Sequence, residues 1–280
     1  MHNKRPTKGV LSKFYDYGIN DPFVTRLFFQ ILKIRDVIYT DRNEKTFDKL
    51  HLPILQNLME ARVAKDECIN LINSHAEEIK NGIISKYDEE RGVIQIDKTI
   101  NLKLNLFFKD FFIRGVIAIK NTIALAGFIG YEISFLFGKD INFKKGKEKF
   151  LINRPERYKE WLDFMEDYRN QWYTPFSELR RQIEHESFNL PDVKYVLDKN
   201  NNIKALFPTL DFKKLDNFLN DLWEDLFSFC EEIVVFLLST KLPQPYEIVL
   251  IPKEKINPDQ PIKYALAVRL PGNDFPTIIT

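Results

Sequence analysis

Residues 102–137 limit the fold more than any other stretch. From Leu102 to Phe137 the apolar residues fall on nearly every side of a helical projection, and phenylalanines are dense at Phe107, Phe108, Phe111 and Phe112. A helix apolar all round has to be enclosed by other helices, so the chain is expected to be built around this one as the central member of a bundle. Small residues recur along it at Gly115, Ala118, Thr122, Ala126, Gly130 and Ser134. Steps of three or four put them on one side, where a neighbouring helix can approach closely. The stretch is not read as a membrane span. Arg114, Lys120 and Glu132 interrupt it, and its longest uncharged piece, 121–131, falls well short of the ~20 residues a bilayer requires.

The flanking sequence supplies partners for that helix. Asp21-Pro22 opens a first helix through Ile38, and Leu52-Pro53 opens a longer one reaching about Ser85. Residues 93–96 alternate like a short strand, and Asn101 is placed to cap the central helix. Residues 138–149 read as a polar connection rich in lysine. Arg154-Pro155 then starts a helix to about Asn170, and Pro175 bends or restarts it. Residues 193–197 and 203–207 flank Asp198-Lys199-Asn200-Asn201-Asn202 as a hairpin. Residues 211–238 form the last long helix, and 246–251 and 263–270 a pair of strands among prolines.

The expected fold is therefore all-α: an up-and-down bundle of about five long helices with short β-hairpin decorations and a small C-terminal two-stranded unit. Residues 1–20 are expected to be a poorly ordered arm, 21–240 the bundle with its hairpin near 193–207, and 241–280 a β appendage packed on it. A chain of 280 residues can bury roughly 70–75% of its unfolded surface. Its 24 Phe and 11 Tyr supply a large aromatic core.

Composition narrows the function. A net charge of +1 gives no global field toward nucleic acid or an anionic membrane, so any RNA contact must be local. Cys68 and Cys230 stand far apart in apolar helical contexts, which fits buried thiols in a cytoplasmic protein and neither a disulfide framework nor a zinc site. Glycine-rich phosphate loops, HExxH and GxSxG are absent, and no glutamate has a histidine three residues later, as di-metal bundles require. No cofactor and no metal are expected. Lys144, Lys145 and Lys147 of the lysine-rich stretch can contact phosphates, though such stretches are more often simply solvated. Tyr173 can stack on or hydrogen-bond a nucleotide, or serve as a hinge residue.

One constellation remains. Thr174-Pro175 reads as a helix start, and Phe176, Leu179, Ile183 and Leu190 follow as a buried stripe. Within Arg180-Arg181-Gln182-Ile183-Glu184-His185, which holds the only histidine in the second half of the chain, Arg181, Glu184 and His185 lie on the flanks of that stripe and Arg180 starts another face. Histidine titrates near neutrality and can act as acid or base, while a guanidinium stays charged and can bridge two phosphate oxygens. That pair suits RNA cleavage at a 2′-hydroxyl without a metal. Arg, Glu and His three and four apart are also ordinary helix-surface company.

Arginine, four residues, then histidine near the start of a helix in an all-α chain resembles the R-x4–6-H motif of the HEPN superfamily. The stretch Phe107–Gly115 is similar to the long central helices of such bundles. The resemblance implies a homodimeric helical bundle acting on RNA as a metal-independent endoribonuclease. In it His185 would be general acid or base, Arg180 or Arg181 the phosphate stabiliser, and Glu184 the residue orienting the histidine. The alternative it carries is a non-catalytic binding or regulatory module of the same fold. Family members usually have Asn, Asp or His after the arginine, and Arg181 stands there in this chain. Arg180 and His185 are about 140° apart on one helix, so they meet more readily across a two-fold axis than within a chain.

Overall fold

The computed structural model describes residues 21–186, 188–270 and 276–279, so the N-terminal arm expected at 1–20 lies outside the described residues. The protein is mainly helical. In chain order its helices are α1 (Ile31–Ile38, entered through a π-helical turn, Val24–Gln30), α2 (Asp41–Lys80), α3 (Asn101–Ile129), α4 (Asp140–Leu151), α5 (Glu156–Tyr168), α6 (Thr174–His185) and α7 (Leu215–Ser239). Three small antiparallel hairpins decorate them: β1 (Ser85–Asp88) with β2 (Val93–Ile96), β3 (Lys194–Leu197) with β4 (Ile203–Leu206), and β5 (Thr209–Leu210) with β6 (Lys213–Lys214). A three-stranded antiparallel sheet follows in the order β7 (Tyr246–Leu250), β8 (Tyr264–Val268), β9 (Thr277–Ile278).

Contacts divide the chain into two compact units, 39–241 and the remainder. In the smaller unit residues 21–38 belong with the C-terminal sheet. The buried Gln30 side chain accepts the backbone N–H groups of Lys263 and Tyr264 at 3.0 and 2.7 Å. The C-terminal sheet has one strand more than the sequence pattern predicts, because Thr277-Ile278 pairs with Ala267-Val268. A two-residue strand has too little alternation to be seen in sequence.

The larger unit is organised as expected around α3, which packs along α2 and α7. Phe108, Phe111, Phe112, Ala118 and Leu125 of α3 are fully buried, as are Phe47, Leu55 and Leu58 of α2 and Leu219, Leu226 and Phe229 of α7. By length and composition α3 is apolar enough to cross a bilayer. Its Arg114 nevertheless forms ion pairs with Glu60 (2.5 Å) and Asp110 (3.3 Å). Gly115, Ala118, Thr122 and Ala126 of the small-residue stripe are all buried. Gly115 is the closest approach: a Cβ there would lie 3.0 Å from Phe176 Cζ and 3.1 Å from Leu226 Cδ2.

Helix limits differ from the sequence expectation in several places. The central helix stops at Ile129 instead of Phe137, because Gly130 turns left-handed (φ 102°) and Tyr131 N–H closes back on Ala126 O. The last long helix starts at Leu215, after the β5–β6 hairpin, and not at residue 211. Pro53 does not open α2 but sits inside it. An internal proline costs about 3 kcal/mol. Phe47 before it and Ile54, Leu55 and Leu58 after it are wholly buried, and each contributes about 1.5–3 kcal/mol, so continuity wins. Asn101 does not cap α3; its side chain accepts the Val193 N–H at 3.1 Å instead.

The supposed polar connection at 138–149 is largely helix α4, held by Phe143 and Phe150, two buried rings seven residues apart. Gly146 faces the short 3-10 turn Ser134–Phe137, where a Cβ would overlap Phe135 Cβ and Cγ and stand 2.9 Å from Cδ1. Gly146→Ala is therefore expected to cost about 2–3 kcal/mol, overpacking outweighing the ~1 kcal/mol gained in helix propensity. Gly127→Ala on α3, where a Cβ meets nothing within 4 Å, is expected to gain about 1 kcal/mol. Urea unfolding of the pair checks both signs; equal shifts would refute the packing account.

Candidate functional site

Helices α5 and α6 form one continuous rod through a π-helical turn, Arg169–Tyr173. The reason is Pro175, which has no N–H for the carbonyl four residues back. The turn widens just ahead of it, and Thr174 N–H reaches Arg169 O, five residues back. Thr174 is thus already inside a helix, and the sequence expectation that it caps a new one is corrected: no side-chain cap bond forms there.

Arg169 fixes this turn. It is 4% exposed; its Nε donates to Leu136 O (3.0 Å) and its Nη2 to Gly138 O (2.6 Å) and Asp140 Oδ1 (3.1 Å). Tyr173 donates its hydroxyl to Phe137 O at 3.0 Å, and burial pushes that phenol above its ordinary pKa. In this arrangement Tyr173 ties the turn to the 134–137 segment. Trp172 and Phe176 continue the buried side, the latter stacked on Phe112 with centroids 5.0 Å apart.

The polar face of α6 then presents the motif. Arg180 Nη2 lies 2.5 Å from Glu184 Oε2, and the same carboxylate oxygen is 3.8 Å from His185 Nε2. Glu184 thus stands between the guanidinium and the imidazole, which are on different faces of the helix. The His185 side chain is 68% exposed at the last residue of α6, while Arg180 Nε is buried without a hydrogen-bond partner. Arg181 faces elsewhere. It is clamped between Glu178 (2.7 Å) and Glu186, and its bonds pull the Glu178 carboxyl down to about 2. Of the two arginines, only Arg180 shares a partner with His185.

The chain beyond α6 is pinned to the start of α3. Leu190 N–H donates to Asn105 Oδ1 (2.7 Å), and Lys109 donates to Asn189 Oδ1 (2.8 Å). Lys144, Lys145 and Lys147 lie on α4. The first two are exposed, whereas Lys147 bonds Asp163 (2.6 Å) and Glu166 (2.5 Å). Partial burial pushes the Lys147 ammonium down, but the two carboxylates outweigh it and hold it above its ordinary value. Among the described residues no three His, Cys, Asp or Glu side chains gather as a metal site.

Sequence reasoning passed over Arg169 and the Glu178 and Glu186 clamp on Arg181. The Glu178 half of the clamp was legible as i,i+3 spacing, whereas Glu186 stands five residues on; Arg169 gave no signal, since its acceptors are about thirty residues away.

A larger concavity, ≈1170 Å³, opens between the C-terminal half of α2, the β3–β4 hairpin and the start of α7, and no α6 residue lines it. The hairpin beside it is fastened to α2 by His75, 1% exposed, whose Nε2 is 2.8 Å from Tyr195 Oη and whose ring meets Phe207 edge-on. Burial holds this imidazole below its ordinary pKa, with Glu78 opposing and Lys98 adding to the effect. The unfolded chain therefore binds this proton more readily than the folded one. Stability from neutral His75 is complete above the unfolded value near 6.5 and falls as pH drops toward the depressed folded value. Urea midpoints should fall on acidification through that window, and His75→Phe should flatten the fall; an unchanged profile in the variant would count against it.

No protein-family model, curated protein or solved structure matches this chain.

Proposed function

We propose that the protein is a HEPN-like, metal-independent endoribonuclease whose site is completed when two copies set their α6 helices side by side. The observation that carries this reading is Arg180 and His185 sharing one carboxylate, Glu184, on the accessible face of a helix anchored by the buried Phe176. His185 serves as general acid or base on the 2′-hydroxyl or the leaving oxygen. Arg180 neutralises the phosphorane, and Glu184 orients the ring. Within one chain Glu184 stands between Arg180 and His185 and already holds the guanidinium, so in this reading the pair that acts on one phosphate comes from two copies.

Purified protein is expected to cleave single-stranded RNA in excess EDTA, with His185→Ala and Arg180→Ala both inactive. Cleavage near the wild-type rate in either variant, or a requirement for a divalent ion, removes the mechanism.

A second reading, a non-catalytic binding module on the same fold, is favoured by the ion pair that already neutralises Arg180 and by the net charge of +1. It predicts no cleavage. Whatever RNA affinity such a module has should show the shallow salt dependence of few phosphate contacts.

A further inference from the structure

At the far end of α3 a second polar cluster stands apart from α6. Tyr131, just past the left-handed Gly130, donates its hydroxyl to Thr240 Oγ1 at 2.6 Å, and Thr240 in turn donates to Leu237 O at 2.6 Å. The Tyr131 proton is thus committed, so in the 3.0 Å contact between Tyr131 Oη and Tyr158 Oη the donor is Tyr158. Both phenol protons run inward toward a backbone carbonyl.

Three cations gather there. The Arg154 guanidinium lies over Phe150 (3.8 Å from its carbon to the ring centroid), Tyr131 (4.8 Å) and Tyr158 (5.3 Å). Arg157 lies 5.3 Å from the Tyr158 ring and Lys241 Nζ 5.1 Å from the Tyr131 ring. Among the described residues none of the three has a carboxylate partner, in a protein where Arg114, Lys147, Arg169, Arg180 and Arg181 all do. Arg154 Nη1 is buried with no hydrogen-bond acceptor. Three rings hold the guanidinium by its faces, which leaves its N–H edge unspent; that edge suits two oxygens of a phosphate or carboxylate.

Like charges repel, and here two of them also flank the N-terminal turn of α5, the positive end of its dipole, where no side chain caps the helix and the one acidic residue, Glu156, is paired with Lys159 at 3.1 Å. Only an anion relieves every one of these conditions at once. Burial pushes both phenols up, and Tyr131 stays above its ordinary pKa, whereas the side-chain contacts of Tyr158, Arg157 among them, outweigh burial and hold its hydroxyl below its ordinary value.

We propose that Arg154, Arg157 and Lys241, set around the Tyr131 and Tyr158 rings, form a binding seat for a phosphate group. The ligand is inorganic phosphate or a phosphate monoester, with Arg154 as the bidentate donor and Arg157 and Lys241 as flanking charges. The seat stands independently of the α6 reading, sharing no residue with it.

Titration calorimetry of the full chain with inorganic phosphate and, separately, with phenyl phosphate at constant ionic strength tests it. Saturable one-to-one binding is expected. Arg157→Gln and Lys241→Gln, both exposed and thus neutral to folding, should each weaken it about tenfold, the scale of one charge-assisted hydrogen bond. Arg154→Gln should abolish it, with circular dichroism reporting whether that variant folds. Tighter binding of phenyl phosphate identifies an organic monoester as the ligand, and equal binding identifies inorganic phosphate. Absence of saturable binding of either probe, or binding that both exposed variants leave unchanged, overturns the assignment.

Discussion

His185→Ala is expected to lower RNA cleavage by about 10²–10⁴-fold, the range for removing a general acid or base. The same substitution should leave stability nearly untouched, because the ring is 68% exposed and its nearest charged partner is 3.8 Å away. Arg180→Ala should cost about 10²–10³-fold in rate, as removal of one preorganised donor to a developing oxyanion does. Its stability cost should stay near 1 kcal/mol or less, since the pair with Glu184 is partly solvated. Arg181→Ala is the control. Its guanidinium already spends itself on Glu178 and Glu186, so cleavage should change little.

Mixing the two dead variants separates a site shared between copies from one within a chain. If Arg180 of one copy serves His185 of the other, a mixed dimer of Arg180→Ala and His185→Ala subunits holds one intact site and one doubly broken site. After free exchange half of the dimers are mixed, so about a quarter of wild-type activity should return. A site confined to one chain restores nothing on mixing. Recovery to that level supports the paired-helix arrangement; its absence, with both parents inactive and exchange demonstrated, leaves only a cis mechanism in which Glu184 relays between the two faces.

The bundle was readable because its signal is redundant: every third or fourth residue of α2, α3 and α7 repeats the same apolar statement. Helix ends rest on single residues and were harder to read. Gly130 ends α3, yet Tyr131, Ile133, Phe135 and Leu136 beyond it are just as buried, so the apolar periodicity runs on past the true end. Pro53 misled in the opposite direction, because a local rule was applied where tertiary burial of Phe47 and His51 upstream prevailed. In α4 four lysines hid two buried phenylalanines. Spacing alone brought Arg180 and His185 to notice, whereas the role of Glu184 as their common neighbour depends on side-chain rotamers. Arg169 was invisible because a buried arginine and a solvated one read identically until its acceptors are known.

That arginine should give the largest stability effect. Arg169→Met keeps most of the volume but takes the donors from Leu136 O and Gly138 O, and each stranded carbonyl costs about 1–3 kcal/mol. The ion pair with Asp140 adds little, because the Asp140 side chain is 82% exposed and rehydrates. A loss of about 3 kcal/mol is therefore expected for Arg169→Met, against well under 1 kcal/mol for Asp140→Asn. Arg169→Lys should fall between, since an ammonium cannot span both carbonyls. Urea midpoints rank the three variants, and amide exchange should show the loss concentrated in residues 134–151 and in the π turn. Equal costs for Arg169→Met and Asp140→Asn would mean that charge pairing, not carbonyl satisfaction, holds the turn. In either case the turn sets where α6 points, because Tyr173 also ties it to the 134–137 segment through Phe137 O. RNA cleavage should consequently fall in Arg169→Met even in the fraction that stays folded, although Arg169 touches neither His185 nor Arg180.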